Sequence, residues 1–106
     1  MKTPQEIKET EENVMEILKT VIDPEVELNI VDLGLIYNVD YDGKKTFDIT
    51  MTLSTPACPI ADTIVMNVIQ AIKNEYPDYE VNANLTFDPP WTPEMISEEG
   101  KKVLGR

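Results

Sequence analysis

"KTFDITMTLSTPACPIADTIVMNVIQAIKNEYP", residues 45–77, changes its hydrophobic period in mid-course. From Phe47 onward the apolar side chains fall on alternate residues, Phe47, Ile49, Met51 and Leu53, with Asp48, Thr50 and Thr52 between them. That period predicts a strand with one buried and one wet face. Beyond Pro59 the spacing is helical: Ile60, Ile64, Val65, Val68, Ile69 and Ile72, stopping before Pro77. A strand that hands over to a helix through "STPACP" places Cys58 at the helix N-terminus, because Pro59 suits the first helical position.

Upstream, Thr3-Pro4-Gln5-Glu6 predicts a first helix, with a capping hydroxyl, a proline at its first position and a glutamate able to bond back to the cap. Ile7, Val14, Ile17, Leu18 and Val21 form its apolar stripe, Glu9, Glu12 and Glu16 its wet face, and Asp23-Pro24 its end. Residues 34–41 predict a strand that turns through Asp42-Gly43 into the Phe47 strand. "YEVNANLTF", residues 79–87, predicts another, with Tyr79, Val81, Ala83, Leu85 and Phe87 inward. "DPPW" then makes a turn, and Thr92-Pro93 opens a C-terminal helix reaching about Leu104. The order helix, strand, strand, helix, strand, helix predicts an α+β fold. A small mixed sheet of about three strands carries the helices, in one domain over residues 1–106.

Composition removes several functions. Twenty acidic residues against nine basic ones leave a net charge of −11, with no basic cluster to neutralise phosphates, so neither nucleic acid nor an anionic membrane is an expected partner. The N-terminus lacks the apolar stretch of a secretory signal, which makes the cytoplasm the expected compartment. The chain has no histidine and one cysteine. It cannot build a Cys–His dyad, an imidazole-ligated metal site or an internal disulfide.

Cys58 therefore carries the chemistry or is a buried hydrophobe. Backbone N–H groups and the helix dipole at Pro59 favour its thiolate, while Asp62 opposes it. One sulfur falls short of the roughly four that an iron–sulfur cluster requires. Any cluster or metal on Cys58 is thus transient, with its other ligands from a partner or a second copy. Asp23, Glu25, Asp32 and Asp62 offer oxygen atoms without calcium-loop spacing, and helix termination, turn formation and solvated charge explain them as well. Trp91 reads either as an exposed docking anchor or as packing for the C-terminal helix.

Three blocks, "IDPEVELNIVDLGLIYNV", "MTLSTPACPIADTI" and "FDPPWTPEMISEEGKKVLG", together resemble the SufT/PaaD-like family of metal–sulfur cluster assembly factors. The resemblance implies the iron–sulfur cluster assembly domain fold. It also implies a non-enzymatic maturation role, helping to deliver clusters to apo-proteins, with cluster scaffolds, carriers and client apo-proteins as partners and a homodimer allowed. No cofactor is expected to stay bound, a transient cluster being the exception. The family's reactive cysteine falls on Cys58, in a loop with Thr55, Pro59 and Asp62 around it. Its Asp-Pro-Glu turn falls on Asp23, Pro24 and Glu25, and its Asp-Leu-Gly on Asp32, Leu33 and Gly34. Ala57 stands where many relatives have glycine. The alternatives are a PaaD-like factor serving one oxygenase system and a thiol-dependent redox or acyl-transfer enzyme. The first is disfavoured because no cysteine follows Cys58, the second because base and resolving thiol are both missing.

Overall fold

Thr3 opens the first helix as its hydroxyl predicts. In the computed structural model, which describes residues 2–23, 27–53 and 61–105, helix α1 runs Pro4–Leu18. Thr3 Oγ1 accepts from the Glu6 N–H and the Glu6 carboxylate accepts from the Thr3 N–H. The helix stops at Leu18, short of the expected Asp23. Lys19, Thr20 and Val21 donate their N–H groups to carbonyls three or four residues back, and β-branched Thr20, Val21 and Ile22 favour leaving the helical region. The chain then forms a short antiparallel hairpin of β1 (Ile22–Asp23) and β2 (Leu28–Asn29), which alternation did not predict. Two-residue strands are too short to show a period. Glu27, in the left-handed region at φ 61°, turns the chain back at its near end.

The main sheet has the order β3 (Ile36–Tyr41), β4 (Thr46–Met51), β5 (Glu80–Leu85). β3 and β4 are antiparallel, and β4 and β5 are parallel, joined through helix α2 (Ala61–Glu75). Mixed pairing follows from the connections: a short turn forces antiparallel neighbours, whereas a helical crossover returns the chain in the same direction. The turn spans Asp42 to Lys45. Gly43 adopts φ 82°, and the Asp42 carboxylate accepts from the N–H groups of Lys44 and Thr46 at 2.7 and 3.1 Å. Those backbone donors hold the Asp42 carboxyl below the ordinary carboxylate range.

The expected alternation is observed from Phe47 to Met51, with Asp48 and Thr50 half-buried between buried neighbours. It fails at Thr52, which lies beyond the end of β4 and is buried instead of wet. Phe47, Ile49, Met51 and Leu53 are buried with Ile64, Val68 and Ile72 of α2, Val14 and Leu18 of α1, and Val81 of β5. Tyr41, Phe47, Tyr76 and Tyr79 form an aromatic cluster in which Phe47 and Tyr79 stack with ring centres 5.2 Å apart. Burial, and then the Tyr79 hydroxyl, push the Tyr41 phenol up to about 12.

Two expectations need correction. β5 is inward only at its start, with Val81 buried and Tyr79 and Ala83 half-buried, whereas Leu85 and Phe87 remain 43% and 40% exposed. β5 is an edge strand: Leu85 still pairs in register with Met51 of β4, but among the described residues no second strand flanks it. The C-terminal helix is also broken in two. A single 3₁₀ turn, Pro93–Met95, is followed by extended Ile96, and α3 (Glu98–Leu104) starts afresh with Ser97 capping the Gly100 N–H.

Candidate functional site

The Asp-Leu-Gly stretch is the centre of a clasp that holds the C-terminal segment. Asn29 and Asp32, three residues apart, bond twice: the Asn29 amide donates to Asp32 Oδ2 at 2.7 Å, and the Asp32 N–H donates to Asn29 Oδ1 at 2.8 Å. This closes a turn after β2, whose backbone is tied by bonds from Leu33 to Asn29 and from Leu35 to Ile30. The other carboxylate oxygen, Asp32 Oδ1, accepts from the Ser97 hydroxyl at 2.9 Å, and the Asp32 carbonyl accepts from the Ser97 N–H at 2.7 Å. The Asn29 amide, aided by the Ser97 hydroxyl and opposed by burial, holds the Asp32 carboxyl below its usual range. Asp32 is an ionised anchor with both oxygens engaged inside the fold.

Leu33 and Gly34 complete the clasp. The Leu33 carbonyl accepts the indole N–H of half-buried Trp91 at 2.7 Å. Gly34 has φ 87°, and a Cβ there would overlap the Met95 carbonyl oxygen and lie 2.8 Å from the Met95 side chain. Only glycine serves at such a position, by conformation and by space. Gly100, buried in the first turn of α3, packs in the same way against Ile96, Leu28 and the Asp32 carbonyl. Tyr37 ties the stretch between, donating its hydroxyl to the Pro89 carbonyl at 2.7 Å.

The structure thus brings Asp32 and Trp91 together around one turn. Asp23 lies in the adjoining hairpin, 2% exposed and paired in register with Leu28. Asp62 is apart from them, exposed in the first turn of α2. Glu25, Thr55, Cys58 and Pro59 lie outside the described residues. On either side of residues 54–60 the chain is firmly held. The Thr52 N–H donates to the Leu35 carbonyl at 2.8 Å, Leu53 is buried, and α2 is seated through Ile64 and Val68. Thr52 Oγ1 is also buried and has no hydrogen-bond partner among the described residues.

Asn29, Tyr37 and Ser97 are the members of the clasp that sequence reasoning missed. Two of them left a trace: Asn29 precedes Asp32 by the spacing of a side-chain-closed turn, and Ser97 precedes Gly100 by the spacing of a helix cap.

The chain is similar in fold and sequence to known proteins. The crystal structure of a domain of unknown function, DUF59, from Bacillus anthracis superposes with a TM-score of 0.93 at 35% identity, covering 97% of this chain and 98% of that one. An "Fe-S protein maturation auxiliary factor" of Porphyromonas gingivalis is 43% identical over 100 residues, 94% of this chain and 95% of its own. The "Fe-S protein maturation auxiliary factor SufT" of Staphylococcus aureus is 36% identical over 86 residues, 80% of this chain and 97% of its own. A family profile described as "Iron-sulfur cluster assembly protein" matches residues 11–84, from the middle of α1 to the end of β5. The α+β fold and the resemblance read from the three sequence blocks hold, and the chain belongs to the iron–sulfur cluster assembly protein family.

Proposed function

We propose that this chain is an accessory factor in the maturation of iron–sulfur proteins. It acts by presenting Cys58 to a cluster-carrying or client protein and catalyses no reaction of its own. The observation that carries the reading is the family match over residues 11–84, together with near full-length similarity to maturation factors. The chemistry of the chain agrees with it. Cys58 is the single thiol, no histidine is present to act as its base, and residues 54–60 connect two elements anchored in the core. A lone thiolate gives one ligand to a cluster whose remaining ligands belong to the donor or the acceptor. That suits passage of a cluster between proteins better than storage. Thr55, Pro59 and Asp62 flank the thiol in sequence, and Asp23, Glu25, Asp32 and Trp91 support or dock.

The test pairs reactivity with biology. The alkylation rate of Cys58 is measured against pH in native and denatured protein, and an iron–sulfur enzyme is assayed in a strain carrying Cys58→Ser. The expected result is a thiol reactive in the folded protein, more so in Asp62→Asn, and a serine variant of unchanged melting temperature that no longer supports the enzyme. A thiol that reacts only after unfolding, with a serine variant that still supports the enzyme, would overturn the proposal.

A further inference from the structure

Among the described residues no strand pairs with the outer edge of β3, and a groove of about 320 Å³ lies beside it. The Asp42 N–H donates to the Thr46 carbonyl at 3.2 Å, so by strand alternation the backbone groups of Asp42 and Asp40 face β4 while those of Tyr41 and Val39 face outward. The Tyr41 N–H is taken by the Glu11 carboxylate at 2.8 Å. Val39, two residues along the same edge, lines the groove with its side chain buried in the core and only 9% of the residue exposed. The opposite wall is one ridge of α1, Lys8, Glu11, Glu12 and Met15, at the spacing that places side chains on one helix face. Tyr37 lies at the far end of this stretch of β3, fixed by its bond to the Pro89 carbonyl.

An open strand edge binds extended chain through backbone hydrogen bonds, and the walls beside it select side chains. Here the walls are acidic: Glu11 and Glu12 face one lysine, Asp40 is exposed on the strand, and the chain as a whole carries −11. We infer that the β3 edge binds an extended segment of a partner protein carrying Lys or Arg on alternate residues, which joins the sheet as an added strand. The segment bonds to the backbone of Val39. Its basic side chains lay their apolar stems on half-buried Met15 and bring their charges to Glu11 and Glu12. In the unbound protein the Glu11 carboxylate covers the Tyr41 N–H, and like charge keeps a second copy off the same edge. This surface is independent of Cys58, so the inference stands or falls without the maturation reading.

The experiment titrates isotope-labelled protein with a capped peptide alternating Arg and Thr, and separately with its Glu-Thr counterpart, following amide shifts and hydrogen exchange. The expected result is shifts concentrated in residues 8–15 and 37–41 and at least tenfold slower exchange of the Val39 amide at saturation. Glu12→Lys should weaken binding tenfold or more. Glu9→Lys makes the same charge change on the wall of a different groove, shared with Lys2 and Tyr76, and should leave affinity within about twofold. Both residues are exposed on α1, and unchanged melting curves confirm folding. No binding, equal losses in the two variants, equal binding of the acidic peptide, or shifts spread over the surface with Val39 unprotected would each overturn the inference.

Discussion

Trp91 donates its indole N–H to the carbonyl of Leu33, 58 residues earlier in the chain, at 2.7 Å. The bond joins the Asp-Leu-Gly turn to the Pro-Pro-Trp segment, two of the sequence blocks through which the family is recognised. Trp91→Phe keeps most of the ring and leaves the Leu33 carbonyl without its donor. A loss of about 1–2 kcal/mol in urea denaturation is expected. Faster proteolysis between residues 88 and 97 should accompany it.

Gly34→Ala should be more severe. A methyl group there meets the Met95 backbone, and alanine is strained at φ 87°. The expected cost is about 2 kcal/mol or more, unless the 93–95 turn lifts away. Thermal melts give the first outcome. Loss of the Trp91 fluorescence environment at unchanged secondary structure gives the second.

Asp32 makes a pH-dependent contribution of known sign. Its folded pKa is depressed, first by the Asn29 amide and then by the Ser97 hydroxyl. The stability it contributes is therefore present above its unfolded value, about 4, and is lost as pH falls through the folded value. Asp32→Asn should be less stable than wild type by about 1 kcal/mol at neutral pH. The gap should close on acidification below about pH 4 when both proteins are denatured with urea across that range.

Tyr41 behaves in the opposite sense. Its folded pKa is raised to about 12, by burial first and then by Tyr79. It favours the fold fully below the unfolded value near 10, and that contribution is lost as pH rises from there through 12. Wild type should lose on the order of 2 kcal/mol more than Tyr41→Phe between about pH 9 and 12. Parallel denaturation curves of the two proteins over that range would refute the assignment.

Thr52 offers a stabilising change. Its hydroxyl is buried without a hydrogen-bond partner among the described residues, and Thr52→Val replaces it with a methyl group of similar shape. A gain of about 1 kcal/mol is expected in chemical denaturation, since an unmade buried hydrogen bond is itself a cost. A loss of similar size would show that the hydroxyl is bonded in solution.

The repeating parts of this protein were legible in the chain alone. Over residues 47–51 and 64–72 burial recurs at the strand and helix periods, and such periods are visible in one chain because each element must hide one face. The Thr3 cap is equally local, its partners lying three residues away. Folding in three dimensions set the rest. β1 and β2 are too short for a period and exist because the Asp23–Leu28 pairing is held by the turns around it. Leu85 and Phe87 have the alternation of buried residues yet stay exposed, because alternation defines a face and only the neighbouring strand or helix can cover it. The role of Asp32 was equally invisible: its partner Ser97 is 65 residues away, and only folding brings the hydroxyl to the carboxylate.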